Sequence, residues 1–532
     1  MFRILFIIFA LFSRAGIAAQ ISAPSAQRAG TLGGFALPCP APVAPQAPIV
    51  LPLSPAILPV TPASALSVDD VEPAAEAAQS QRQRLQSFLH QGRNRDPKAE
   101  LDRLFDMIGT PRAPPSNGPG APETVKASGA SRWSLLSIPQ HGLQARIDLF
   151  RRAKKSIDAC YYEFHPGAVG LIKLSLLRDA ARRGVKVRLL LDSIGSRIPK
   201  ALVNHLVEEG VEIRYFHPLR FFHPSWLWRR MHTKWSIIDG DEMIVGDRNM
   251  GDGYFNLAGA KWRTREIYIA GDAARQAAAY SGALWESADV KIPRRYWRAR
   301  PERIELAGKI LDKVAERLTK HASSPDNPWL EGSQPAKISF SHDPLGWRKK
   351  TNGTGGEMLS LIDGARETII LENAYVAPTR EFKDALARAV RRGVKVRLIT
   401  NSRQSHNIKI VYAAYQQDLE QLAALGLEIW EYQGSGTLHA KNIVIDSKIS
   451  YVGSYNLDPR SFALNLESGA IIEDVSFSQH LESEINTDLT HCKLVAKQGK
   501  ILVSEEPAAH PFIRRLKRAL TRALLAVLRS QL

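Results

Sequence analysis

Two copies of one short pattern constrain this chain more than any other feature. In the first, His232-Thr233-Lys234 is followed at a fixed interval by Asp239; in the second, His439-Ala440-Lys441 is followed at the same interval by Asp446. Each copy runs on to a glycine and an asparagine with matching spacing, Gly246 and Asn249 in one, Gly453 and Asn456 in the other. The residues between His and Asp are β-formers (Trp235-Ser236-Ile237-Ile238 and Asn442-Ile443-Val444-Ile445), and a second apolar run leads to each glycine. Each copy therefore reads as a hairpin. Side chains alternate along a strand, which puts His and Lys on one face and Asp on the other. The Gly-x-x-Asn turn ends the return strand, back beside the His-Lys end. An imidazole, an ammonium and an amide donor gathered in this way suit gripping and attacking a phosphate. A lone copy would carry little weight; two with the same continuation rule out coincidence.

The repetition extends beyond the motif. Arg182-Arg183-Gly184-Val185-Lys186-Val187-Arg188-Leu189 recurs residue for residue from Arg391 to Leu398, so the core is an internal duplication. Before each motif the pattern alternates helix and strand, which predicts an α/β layered sheet with right-handed crossovers. The repeated Arg-Arg-Gly marks a helix end, where cations complement the dipole and glycine supplies a left-handed cap.

The doubled H-x-K-x4-D with its Gly-x-x-Asn resembles the phospholipase D superfamily over about Ser137 to Asp488. More local phrases, Gly246-Asp247-Arg248-Asn249-Met250-Gly251-Asp252 and Gly453-Ser454-Tyr455-Asn456-Leu457-Asp458-Pro459-Arg460-Ser461, look like its bacterial cardiolipin synthase branch. The resemblance implies two tandem α/β/α sandwich domains related by a pseudo-twofold, with one active site at their interface. It also implies His232 as the nucleophile and His439 as the general acid and base, a distinction the residues themselves do not make. One departure is Asp247, where the second copy has Ser454; a carboxylate there cannot donate to a phosphate oxygen unless protonated.

Residue chemistry supplies the remaining roles. A phosphodiester is anionic and repels nucleophiles, so Lys234 and Lys441 would neutralise it, with Asn249, Ser454 and Asn456 as hydrogen-bond donors. Histidine suits both covalent attack and proton transfer because its pKa lies near neutrality. Asp239 and Asp446 belong to the catalytic motif, yet by parity they are expected to pin the hairpin. Glu266 and Glu467, on a following strand in each half, are candidates to hold the histidine Nδ1 atoms. No metal and no cofactor is expected: the histidines are paired with lysines, which repel cations, and no carboxylate cluster accompanies them.

The rest of the chain bears on partner and location. The 532 residues carry a formal charge of +18, which calls for an anionic partner. Cys39, Cys160 and Cys492 are too scattered for a disulfide framework or a zinc site. Residues 1–19 read as an export signal, cleaved or kept as an anchor, and 20–132 as a Pro/Ala-rich linker with a short helical element. The first domain is expected over 133–300, a connecting segment over 301–335, the second domain over 336–495, and a basic amphipathic tail over 496–532. The aromatic and cationic stretch Leu219 to Arg230 and the Leu/Arg pattern of the tail suit an anionic phospholipid surface. The expectation is an exported, membrane-associated enzyme that transfers a phosphatidyl group to an alcohol or to water. The alternative is a secreted nuclease with the same sites; nucleic acid is the less favoured partner, because small nucleases of the superfamily typically carry one motif and dimerise. The oligomeric state is left open.

Overall fold

The computed structural model describes residues 131–218, 228–257, 262–292, 298–320, 335–346 and 353–502. All fall within one compact unit of the chain, Arg93–Leu532. The expected signal and linker, most of Leu219 to Arg230, and the basic tail beyond 502 lie outside the described residues.

The first half builds a mixed sheet. Three parallel strands, β2 (Ser156–Tyr161), β3 (Lys186–Asp192) and β4 (Glu212–Phe216), alternate with helices α1 (Pro139–Arg152), α2 (Ala168–Arg182) and α3 (Lys200–Glu208). The motif hairpin, β5 (Lys234–Ile238) and β6 (Glu242–Gly246), joins antiparallel beside β2. β7 (Glu266–Gly271) and β1 (Ser131–Leu135) extend the sheet beyond it, α4 (Asp272–Trp285) follows, and the short β8 (Val290–Lys291) pairs antiparallel with β4. The expected glycine cap is present: Gly184 and its copy Gly393 adopt φ of 86° and 87°.

The second half repeats this order. β10 (Thr368–Asn373), β11 (Lys395–Asn401) and β12 (Glu428–Tyr432) run parallel, and the hairpin β13 (Lys441–Ile445) and β14 (Ile449–Gly453) pairs beside β10. β15 (Ser468–Glu473) and β9 (Pro335–His342) complete the set. The two halves join where β1 meets β9, equivalent strands pairing antiparallel with Ser131 opposite Ala336. That is the relation a pseudo-twofold demands. An apolar cluster spans the join, with Trp133, Trp235 and Tyr280 from one half against Phe340, Phe477 and Leu481 from the other. Trp133 meets Phe477 edge-on at 4.9 Å between ring centroids, the arrangement favoured by aromatic quadrupoles.

The motif hairpins turn tightly. Asp239 and Gly240 have φ of 53° and 76°, and Asp446 and Ser447 both have 51°, in three-residue loops closed by the Asp241 N–H on the Ile238 carbonyl and the Lys448 N–H on the Ile445 carbonyl. The Asp239 carboxylate accepts the backbone N–H groups of Lys154, Lys155 and Ser156 at 2.7–3.1 Å. Asp446 accepts those of Arg366, Glu367 and Thr368 at 2.8–2.9 Å. Each aspartate thus locks its hairpin to the start of the neighbouring parallel strand, one strand length, about 17 Å, from the motif lysine. They belong to the motif but not to the catalytic cluster, as the strand parity requires. Asp239→Ala is expected to lower stability by about 1–2 kcal/mol, the scale of a lost backbone cap. Urea unfolding would measure it, while turnover per folded molecule should stay within a few-fold of the parent.

One element was hidden in the expected connecting segment. Residues Pro301–Lys320 form helix α5, with Ile304, Ala307, Ile310, Leu311, Val314 and Leu318 buried on one face. Arg178 of α2 donates to Asp312, and Ser175 to the Leu311 carbonyl, so this helix belongs to the first half.

Candidate active site

Each hairpin delivers its His-Lys pair where the two halves meet. Gly246 and Gly453 end the return strands, and a Cβ on either would lie 2.4 or 2.6 Å from the Arg265 or Ser468 carbonyl oxygen of the next strand. Glycine is therefore required for the close approach that brings that next strand to the site. Backbone bonds then stitch the halves together. The His232 N–H donates to the Leu466 carbonyl at 2.8 Å, and the His439 N–H to the Arg263 carbonyl at 2.7 Å.

His232 is held from the opposite half. Its Nδ1 lies 2.9 Å from Glu467 Oε2, and Glu467 is fully buried. The hydroxyl of Ser461 donates to Glu467 at 2.7 Å and that of Ser454 at 2.5 Å, with the Asn465 amide at 3.2 Å. Burial would raise the Glu467 carboxyl, but the charge and hydrogen bond of His232, the Lys234 charge and the Ser454 hydroxyl hold it down at about 2, so it is a carboxylate throughout the neutral range. Burial lowers His232, against the pull of Glu467. Glu467 thus lies within hydrogen-bond reach of the His232 Nδ1.

Glu266 behaves differently from its expected role. Both its oxygens are taken by Arg146 and Arg248, and it contacts neither motif histidine. The reason is register. Gly246 pairs with Glu266 as Gly453 pairs with Gly469, so Glu266 sits two residues beyond the position of Glu467, and Thr264 occupies that position.

The expected phosphate donors divide. Ser454 is committed to Glu467 and to the Ser468 N–H, so it serves the histidine support and not the phosphate. The Asn249 amide donates to the Tyr254 hydroxyl at 2.9 Å and its oxygen accepts the Glu163 N–H at 3.1 Å, which ties it into the wall of the site. Asn456, by contrast, has no side-chain hydrogen bond among the described residues, and its Oδ1 is buried and unpaired. It is the amide left available to a ligand.

The lysines define the electrostatics. Lys234 and Lys441 are 1% and 0% exposed, and each donates to the carbonyl of its own motif histidine. Neither makes an ion pair among the described residues. Burial brings Lys234 down to about 7 and Lys441 to about 8, and the like charge of Lys441 pushes Lys234 the same way. Glu467, Glu163 and Asp247 pull both lysines back up without overcoming burial, so the two ammonium groups remain desolvated and a bound anion would favour their charged forms.

Aromatic rings complete the walls, and sequence patterns did not single them out. Tyr162 stands edge-on to His232 at 5.1 Å, and Tyr254 and Trp262 pack against His439 at 5.2 and 5.1 Å. Lys234 and Lys441 lie 5.4 and 5.6 Å from the ring centres of Tyr162 and Tyr375, within cation–π range. The signal for Tyr162 and Tyr375 was their place just after the strand beside each motif.

The chain is similar to known proteins of one family. The family model described as "Cardiolipin synthase, PLD-like domain" matches residues 147–262 and 358–489. Cardiolipin synthase C of Escherichia coli (strain K12) is 32% identical over 385 residues, covering 64% of this chain and 80% of that protein. Cardiolipin synthase 2 of Bacillus anthracis is 28% identical over 403 residues, covering 75% of this chain and 69% of that protein. Among solved structures, phosphatidylserine synthase from Haemophilus influenzae superposes with a TM-score of 0.57 at 16% identity, covering 81% of this chain and all of that one, which bears on the fold. The chain belongs to the phospholipase D superfamily, as a cardiolipin synthase-like member with two phospholipase D-like domains.

Proposed function

We propose that this protein transfers a phosphatidyl group from a phospholipid to an alcohol through a phosphohistidine at His232. The observation that carries the reading is the pair of buried lysines, with no ion pair among the described residues, beside two histidines: a phosphodiester there would favour the charged form of both. The names of the relatives above point to phospholipid as the source of that phosphodiester.

The chemistry follows from the groups in place. With its Nδ1–H held by Glu467, His232 turns the Nε2 lone pair toward phosphorus. Attack forms the N–P bond as the bond to the leaving oxygen breaks, and His439 gives that oxygen a proton. The acceptor then loses a proton to His439 as its oxygen attacks phosphorus and the N–P bond breaks. Lys234, Lys441 and Asn456 meet the negative charge on the phosphoryl oxygens during both displacements. Bound anion also restores the lysines to full charge and raises His439, which burial and the two lysines keep well below its ordinary value in the empty site.

Sulfate keeps a constant charge over the neutral range and serves as a probe of this coupling. Its dissociation constant should rise by about tenfold per pH unit between the lysine values of about 7 and about 8, and by about a hundredfold per unit above both, because binding then takes up first one proton and then two. Calorimetry in buffers of different ionisation enthalpy would measure the proton uptake; a pH-independent constant would mean that the lysines do not face the anion.

For location and partner, the reading is an exported enzyme at an anionic membrane surface, supported by the apolar start, the aromatic stretch before the first motif and the basic tail. The decisive assay incubates the protein with phosphatidylglycerol and phosphatidylethanolamine vesicles in EDTA, with products identified by mass spectrometry. Cardiolipin is the expected product if phosphatidylglycerol is the acceptor, and phosphatidic acid if water is. Absence of any lipid product, with His232-dependent cleavage of DNA, would overturn the phospholipid reading.

A further inference from the structure

We infer that Asp247 is the positioning carboxylate of His439, standing in for a glutamate that this half of the site lacks. This deepens the proposed function and rests on His439 acting as the acid and base in it.

The two supports are related position by position. The N–H of Asp247 donates to the Arg265 carbonyl, and that of Ser454 to the Ser468 carbonyl, so Asp247 and Ser454 are equivalent. The carbonyls holding the His439 and His232 N–H groups belong to Arg263 and Leu466, so the next residues, Thr264 and Glu467, are equivalent too. One half therefore has a hydroxyl on the glycine turn and a carboxylate on the following strand. The other has the carboxylate on the turn and the hydroxyl on the strand. The acid has changed places, not vanished.

The contacts fit that exchange. Asp247 Oδ1 lies 3.7 Å from His439 Nδ1, with both side chains buried. That is longer than a hydrogen bond, and neither atom has another partner among the described residues. Asp247 Oδ2 is fixed by the Arg265 N–H at 3.0 Å, which leaves Oδ1 aimed at the ring. A shift of less than 1 Å joins two buried groups that are otherwise unsatisfied. Thr264 Oγ1 meanwhile accepts from Arg248 Nε at 3.0 Å and makes no hydrogen bond to the histidine among the described residues. Burial raises the Asp247 carboxyl to about 7 while Lys441, the Arg265 N–H and Arg248 pull it down and Glu266 opposes them. A proton arriving on His439 adds a positive charge beside it and favours the carboxylate.

The bond would hold the proton on Nδ1 and leave Nε2 free to exchange protons with alcohols in the site. It acts through His439 and touches no substrate.

The test moves the acid back. Asp247→Ser and the double variant Asp247→Ser/Thr264→Glu would be compared with the parent, using long-range nitrogen–proton NMR of labelled histidine, with the His439 signal identified by its loss in His439→Asn. The parent is expected to carry the proton on Nδ1. Asp247→Ser should shift the signal toward the Nε2–H tautomer, and the double variant should return it. This readout does not depend on any substrate, so its failure is separate from failure of the phospholipid reading. In turnover, Asp247→Ser should lose about 100-fold or more in kcat with a phospholipid, and the double variant should regain most of it. A p-nitrophenyl phosphodiester, whose leaving group needs no proton, should release its first equivalent at nearly the parent rate in both. A His439 tautomer unchanged in Asp247→Ser, or a double variant no nearer the parent than the single one while equally folded, would overturn the inference.

Discussion

His232→Ala is expected to lower phosphodiester turnover by about a millionfold, the scale on which a covalent mechanism fails when its nucleophile is removed. The loss should fall on kcat, because Lys234, Lys441 and Asn456 still bind the phosphate. His439→Ala should separate the two histidines. A p-nitrophenyl leaving group needs no acid, so the first displacement proceeds, while the second lacks its base. The enzyme should therefore accumulate a phosphoramidate adduct, stable to alkali and lost in acid, on the peptide containing His232. Mass spectrometry of the quenched protein reads it directly. An adduct on His439 would exchange the two roles; residual turnover in His232→Ala would remove the covalent step altogether.

Glu467→Gln should cost about 10⁴ in kcat, comparable with losing the carboxylate that sets a catalytic histidine's tautomer elsewhere. The carboxylate accepts from His232, Ser454, Ser461 and Asn465 together. An amide of the same size keeps the packing but turns an N–H toward at least one of those donors. If it faces His232, the ring must accept at Nδ1 and carry its proton on Nε2, where it cannot attack. The pH profile gives a second sign. Glu467 raises the His232 pKa against burial, so its neutralisation should lower that pKa and move the acid limb of kcat/KM downward while the plateau falls. A plateau within tenfold of the parent would sink the assignment.

The fold and most of the site could be read from the residues because the chemistry leaves few substitutes. A strand that must present an imidazole and an ammonium two residues apart fixes its own register, so His232, Lys234, His439 and Lys441 were legible at once. The parity that joined them also separated Asp239 and Asp446. The histidine supports were harder because they depend on pairing across a loop of variable length. Thr264 follows Gly246 by 18 residues and Glu467 follows Gly453 by 14, and proximity along the chain favoured the nearby Glu266. The mismatch of Asp247 with Ser454 was visible, but its meaning needed the position of Thr264. Ser454 misled for the opposite reason: a hydroxyl in a phosphate site is a plausible donor until a buried carboxylate is found beside it. Helix α5 carries a regular apolar stripe from Ile304 to Leu318, readable in principle, but among the described residues the second half has no copy of it to mark it as part of the repeat.

Glu467 reaches across the join to His232, and Asp247 lies across it from His439. Two identical copies of such a unit could assemble only with the same carboxylate behind both imidazoles. Fusing the copies removes that obligation, since each support is then encoded once and serves one ring. The histidine expected to bond phosphorus rests on a carboxylate that stays ionised down to about pH 2, and its counterpart on one that titrates at about 7. A single polypeptide can thus keep the outline of a symmetric dimer while its two reactive centres become specialists, one for making and breaking a bond, the other for carrying a proton.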